Sequence, residues 1–122
     1  MLLLQIVLAF KILVTLALWS APLAVAAADR SAGFELRLMR ALLATAYLAL
    51  VVAYTAGFQA ARSDQVLWWV IAMGLVSNGG GSLLLTAALR SAQGVQRLQL
   101  AASLAATASV TVGLATSAVL LR

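Results

Sequence analysis

Residues Leu98 to Leu121 read LQLAASLAATASVTVGLATSAVLL, 24 positions without a charged side chain. An α-helix rises about 1.5 Å per residue, so about 20 residues cross the roughly 30 Å of bilayer hydrocarbon. The stretch is long enough to span, and Arg122 follows it as an interfacial anchor. Upstream lie three further apolar blocks of comparable length, Leu2 to Ala28, Leu38 to Ala61 and Val66 to Leu89. The expected spans are 2-28, 38-61, 66-89 and 98-121, together one transmembrane domain over residues 1-122.

Composition points the same way. The chain is 65% hydrophobic and 9% charged, against about half apolar and a quarter charged in an ordinary soluble domain. A water-soluble fold of this length hides only about two thirds of its potential surface. The surplus leucine, alanine and valine would lie exposed as aggregation-prone patches, so the lipid bilayer is the expected solvent. Four spans leave no room in these residues for a soluble catalytic domain or a nucleic-acid-binding module. The formal net charge of +5 does not restore one, because the eight basic residues are scattered singly between apolar blocks. A phosphate-binding surface needs them gathered, with aromatics interleaved, so no nucleic-acid partner is expected. Histidine and cysteine are both absent. That removes disulfides, thiolate nucleophiles, the usual zinc and haem ligands and histidine proton transfer, and neither a metal site nor a cofactor is implied.

The connections between blocks are short, which makes sequential helices antiparallel neighbours. The expected fold is all-α: a polytopic, antiparallel four-transmembrane-helix bundle. The first block ends in a signal-like run of small residues, Ala24 to Ala28, but its lysine, Lys11, sits inside the apolar run instead of before it. It is read as a retained helix. Pro22, lacking a backbone donor, is expected to kink that helix or to end it, with residues 23 to 28 as a short second piece. One side of the bundle receives Arg30, Arg37, Arg40, Arg90 and Arg97, the other Arg62 and Arg122. The positive-inside rule makes the arginine-rich side cytoplasmic and both termini external, in a membrane read as the bacterial inner membrane.

Glycine and amide side chains at membrane depth must face protein or water. The segment Gly74 to Ser82, GLVSNGGGS, therefore marks a buried face of the third span. Gly74, Asn78, Ser82 and Thr86 recur every fourth residue, and Gly81 lies beside them, forming a helix-packing or partner interface across which Asn78 hydrogen-bonds. The alternative is that the three consecutive glycines unwind the helix and offer backbone groups to an ion or polar ligand. Ala102, Ala106, Ser109, Gly113 and Ser117 form a matching small-residue face on the fourth span. Lys11 lies near half depth, where an ammonium must snorkel, pair or take part in function. No carboxylate lies inside a span to pair with it, because Asp29, Glu35 and Asp64 all fall at connections, so a contact with another chain or an anionic lipid is the expected pairing. Tyr47 and Tyr54 share a face of the second span, with Arg40 one heptad further on, and offer either a ligand-contacting or a helix-packing surface.

Acid-base catalysis wants two groups of separated pKa near one substrate. Three carboxylates at different helix ends do not supply them. The functional expectation is a non-catalytic small integral membrane subunit, assembly or scaffold protein, packed against other membrane protein chains or against itself. The alternative is an oligomeric transporter or channel for a small solute or ion, in which the lone lysine favours anions.

Overall fold

The computed structural model describes residues 1–122 and is all α-helical apart from its connections. The first span comprises α1 (Leu2–Val14), a π-helical turn (Thr15–Ser20) and α2 (Ala21–Ala27). The second is α3 (Phe34–Arg62), the third α4 (Trp68–Leu89) and the fourth α5 (Gly94–Leu120). All four are long and apolar enough to cross a membrane. The protein is an integral membrane protein built as a bundle of four transmembrane helices.

Pro22 neither stops the first span nor isolates residues 23 to 28, which stay helical to Ala27. Its ring would press on the carbonyl four residues back, and it has no N–H to bond there. The wider π turn ahead of it absorbs the misfit: the Ala21 amide donates to the Leu16 carbonyl, five residues back. Continuity also survives the three glycines of the third span, since α4 runs unbroken through Gly79, Gly80 and Gly81. In hydrocarbon an opened turn leaves amides and carbonyls without water to bond.

α3 and α5 each begin before their apolar blocks, at Phe34 instead of Leu38 and at Gly94 instead of Leu98. The extra turns carry Glu35 and Arg37 in one case and Gln96 and Arg97 in the other, side chains that belong among headgroups. Glu35 in the first turn and Arg62 in the last complement the α3 dipole. Arg62 is followed by a Schellman turn in which the Gln65 amide donates to Ala60 and the Asp64 amide to Ala61. Asp64 takes the left-handed conformation, φ 56°, that this turn demands.

The helices meet in a ring, with the first span beside α3 and α5, and α4 beside α5 and, less closely, α3. Three glycines make the close approaches. Val70 and Leu8 fill the space at Gly57, Leu114 and Tyr54 that at Gly74, and Val7 that at Gly113. These contacts all lie toward the end of the bundle that holds the α3–α4 turn. The buried apolar cluster of Leu4, Val7, Leu8, Tyr54, Ala61, Val70, Ile71, Val110 and Leu114 lies there too. Beyond Val14 the first span packs chiefly on α3, leaving α5. The bundle is thus two hairpins, first span with α3 and α4 with α5, joined at one end and parted at the arginine-rich other.

A Cβ added at Gly113 would stand 2.6 Å from Val7 Cγ2, whereas one at Gly80 would meet nothing within 4 Å. Valine is stiff at χ1 and yields poorly. Gly113→Ala is expected to destabilise the bundle by about 1–3 kcal/mol, and Gly80→Ala to be neutral or to stabilise by up to about 1 kcal/mol through helix propensity. Reversible unfolding in mixed micelles of the two variants measures the contrast.

Candidate functional site: a lysine at the floor of the cleft

Lys11, Thr15 and Trp19 stand four residues apart on one face of the first span and point toward the interior between the hairpins. Lys11 is 5% exposed, and its ammonium lies over the Tyr54 ring, 5.8 Å from the centroid. This is cation–π range. It does not snorkel to an interface, and no carboxylate or hydrogen-bond acceptor of the chain reaches it.

Opposite it, α3 and α4 form a polar knot. Asn78, 1% exposed, donates from Nδ2 to the Gly74 carbonyl at 2.7 Å and to the Tyr54 hydroxyl at 3.3 Å. The Tyr54 and Ser77 hydroxyls share a further hydrogen bond of 3.2 Å. The Gly74 carbonyl can only accept, so it fixes which amide atom is the nitrogen. Asn78 Oδ1 is left buried without a partner, as is Thr15 Oγ1. Buried polar atoms are nearly always satisfied, and here Thr15 lies one turn from Lys11 and Asn78 on α4, while Ser117 Oγ of α5 is a third unpartnered atom.

A cavity of about 250 Å³ opens from this point between α3 and α4, reaching Lys11, Tyr47, Ser77, Asn78 and Leu84. A second, of about 520 Å³, lies between the first span and α5, lined by Pro22, Gln96, Gln99 and Ser103 among others. Trp19 borders both, stacked on Tyr47 with ring centroids 5.6 Å apart and planes 21° from parallel. The two cavities are halves of one cleft, divided by an aromatic pair. The π turn that accommodates Pro22 is also the turn that carries Trp19.

Other residues singled out from the sequence have separate places. Ser82 donates across to Thr107 Oγ1 of α5 at 3.2 Å, and Gly81 borders the cleft with nothing near its absent Cβ. Gly113 faces Val7 of the first span, while Leu114 occupies the space at Gly74. Ala102 is exposed and Ala106 half-buried. Ser109, Thr111 and Thr116 bond to carbonyls of their own helix, as does Thr86, so none of these hydroxyls is held for a pathway. Arg40 donates to the Ala26 carbonyl at 3.1 Å and Arg37 to Ala27 at 3.4 Å. Both guanidinium groups thereby close the carbonyl end of α2. Nearby, the Ser31 hydroxyl and amide bond to Asp29, and with the charges of Arg40 and Arg37 hold its carboxyl below its usual range.

The Lys11, Thr15, Trp19 spacing that marks the cleft face of the first span is present in the sequence, but nothing there distinguishes Trp19. Its apolar neighbours Leu16, Ala17 and Leu18 make it read as part of a uniform span. No group of three or more histidine, cysteine, aspartate or glutamate side chains gathers that would hold a metal ion. The chain is a small all-helical membrane protein lacking catalytic motifs. No family model, no curated protein and no solved structure matches it.

A buried cation without a counter-charge costs stability. Lys11→Met is expected to raise unfolding stability by about 1–3 kcal/mol. Tyr54→Phe, which removes the hydroxyl shared by Asn78 and Ser77, should lower it by about 1 kcal/mol. Steric trapping or detergent unfolding of both variants checks the opposite signs; a Lys11→Met protein less stable than the parent contradicts an unpaired lysine.

Proposed function

We propose that the protein is a non-catalytic carrier that binds a small solute in the cleft between its two hairpins and passes it across the membrane by rocking one hairpin on the other. The observation that supports this reading is the uneven packing: helices joined through three glycines at one end and parted at the other. Glycine contacts let helices tilt on each other without displacing bulky side chains. A cleft floored by Lys11, Asn78 and Tyr54 at half depth is a ligand site accessible from one side, and access alternates when the parted ends close. Four helices enclose little water alone, so the carrier works as a self-associated pair or larger oligomer. By the positive-inside rule the cleft faces the cytoplasm, with both termini outside, in a bacterial inner membrane.

The accessory-subunit reading is favoured by a different observation. Gly80 and Gly81 lie on α4 with no heavy atom within 4 Å of where a Cβ would be, a surface on which a helix of another membrane protein packs closely. On that reading a neighbouring chain fills the cleft permanently and no motion accompanies function.

Spin labels separate the two. The chain has no cysteine, so pairs are introduced cleanly at Leu43 and Ala88, beside the open end, and at Gln59 and Trp69, beside the joined end. The carrier reading predicts a broad or two-peaked distance distribution for the first pair and a single narrow one for the second, in lipid nanodiscs. One narrow distance at both ends supports the accessory subunit.

A further inference from the structure

We propose that the cavity between α3 and α4 is a binding site for a small organic monoanion, a carboxylate or phosphate that also carries a hydrogen-bond donor and an apolar or aromatic body. The proposal rests on the cleft reading above for its access route, and the chemistry comes from the cavity wall. Lys11 is the one charged side chain on that wall, nine-tenths buried and without an ion-pair or hydrogen-bond partner. Its three N–H donors require acceptors, and a single positive charge in hydrocarbon requires a single negative one. The chain supplies none: Asp29 is tied to Ser31 outside the spans, Glu35 lies in the first turn of α3, and Asp64 lies in the α3–α4 turn.

The second requirement comes from Asn78. With its nitrogen committed to Gly74 and Tyr54, Oδ1 offers an acceptor that nothing in the chain fills. A simple anion satisfies Lys11 and leaves this atom orphaned. A ligand bearing a hydroxyl or amine in addition to its anionic group satisfies both. The third requirement is the wall itself. Trp19 stacked on Tyr47 presents aromatic surface, and Leu50, Leu84 and Leu85 present aliphatic surface, so the remainder of the ligand is apolar. Leu84 on the cavity wall is also exposed on the outside of the bundle, so the proposed site admits either a free solute from water or a lipid headgroup carrying its chains in the bilayer.

The probes are 4-hydroxybenzoate, its neutral counterpart 4-hydroxybenzamide, and phosphatidic acid. In a Trp68→Phe, Trp69→Phe background Trp19 is the single tryptophan, and its emission reports the cavity in phosphatidylcholine nanodiscs. The expected result is a saturable change with 4-hydroxybenzoate at an affinity about tenfold or more above that of the amide. Lys11→Met abolishes the preference, Lys11→Arg retains it, and Asn78→Asp, which gives Lys11 an internal counter-charge, abolishes anion binding while leaving the protein folded. Should Lys11→Met fail to assemble, Lys11→Gln replaces it. Competition by phosphatidic acid in the nanodisc identifies a lipid headgroup as the source; its absence identifies a free solute.

Equal response to acid and amide, unchanged by the Lys11 variants, overturns the anion site. So does the lack of any response to 4-hydroxybenzoate and phosphatidic acid. Either failure leaves the carrier reading to the spin-label distances, and a rigid bundle that still binds the anion through Lys11 upholds the site and removes the carrier.

Discussion

The four helices share a dry apolar core at only one end, and every other property of the molecule follows from that restriction. Val7, Val70 and Leu114 each enter the space left by a glycine on a neighbouring helix, so three interfaces close around one level of the bundle. Between membrane helices no hydrophobic force acts, and close packing has to be supplied by such small-residue contacts. Where they stop, the hairpins part. The arginine-rich end is held by local bonds within the first hairpin instead, Ser20 to Ala44, Arg40 to Ala26 and Arg37 to Ala27.

This geometry explains why Lys11 is tolerated. A lysine one turn nearer the joined end would take the place of Val7 or Leu8 within the buried apolar cluster and have no polar surroundings at all. At its actual depth it stands where dry packing gives way to the cleft, over the Tyr54 ring and near the Asn78 knot. Tyr54 belongs to both regions, packing its ring against the core and turning its hydroxyl to Asn78 and Ser77. Tyr54 thereby links the polar knot to the joint.

Much of the fold was legible in the sequence, because hydrocarbon thickness and charge avoidance are properties of a residue run and need no partner. The four apolar blocks locate the four helices to within a few residues. The early starts of α3 and α5 were hidden, since hydropathy registers hydrocarbon and is blind to a helix that continues among headgroups through Phe34 to Arg37 or Gly94 to Arg97. The treatment of Pro22 was hidden as well, because a π turn upstream has no side-chain signature. For the site, Lys11, Asn78, Tyr47 and Tyr54 stood out as polar or aromatic groups at membrane depth. Which of them meet depends on helix rotation and tilt, which short loops do not fix. The most conspicuous motif, the three consecutive glycines, makes no close approach at Gly80 or Gly81, while solitary Gly57 and Gly113 receive Val70 and Val7. A glycine's value lies in what faces it, and that is tertiary information.

The division of the bundle into a dry end and an open end is tested most directly by single-cysteine labelling with a membrane-impermeant maleimide, in vesicles opened to reagent on both sides. Cysteines at Gly81 and Leu85, on the cleft wall, should react readily, and cysteines at Ile71 and Val110, within the joined end, should remain unmodified. Uniform protection of all four positions, or reaction at Ile71 and Val110, would contradict the account.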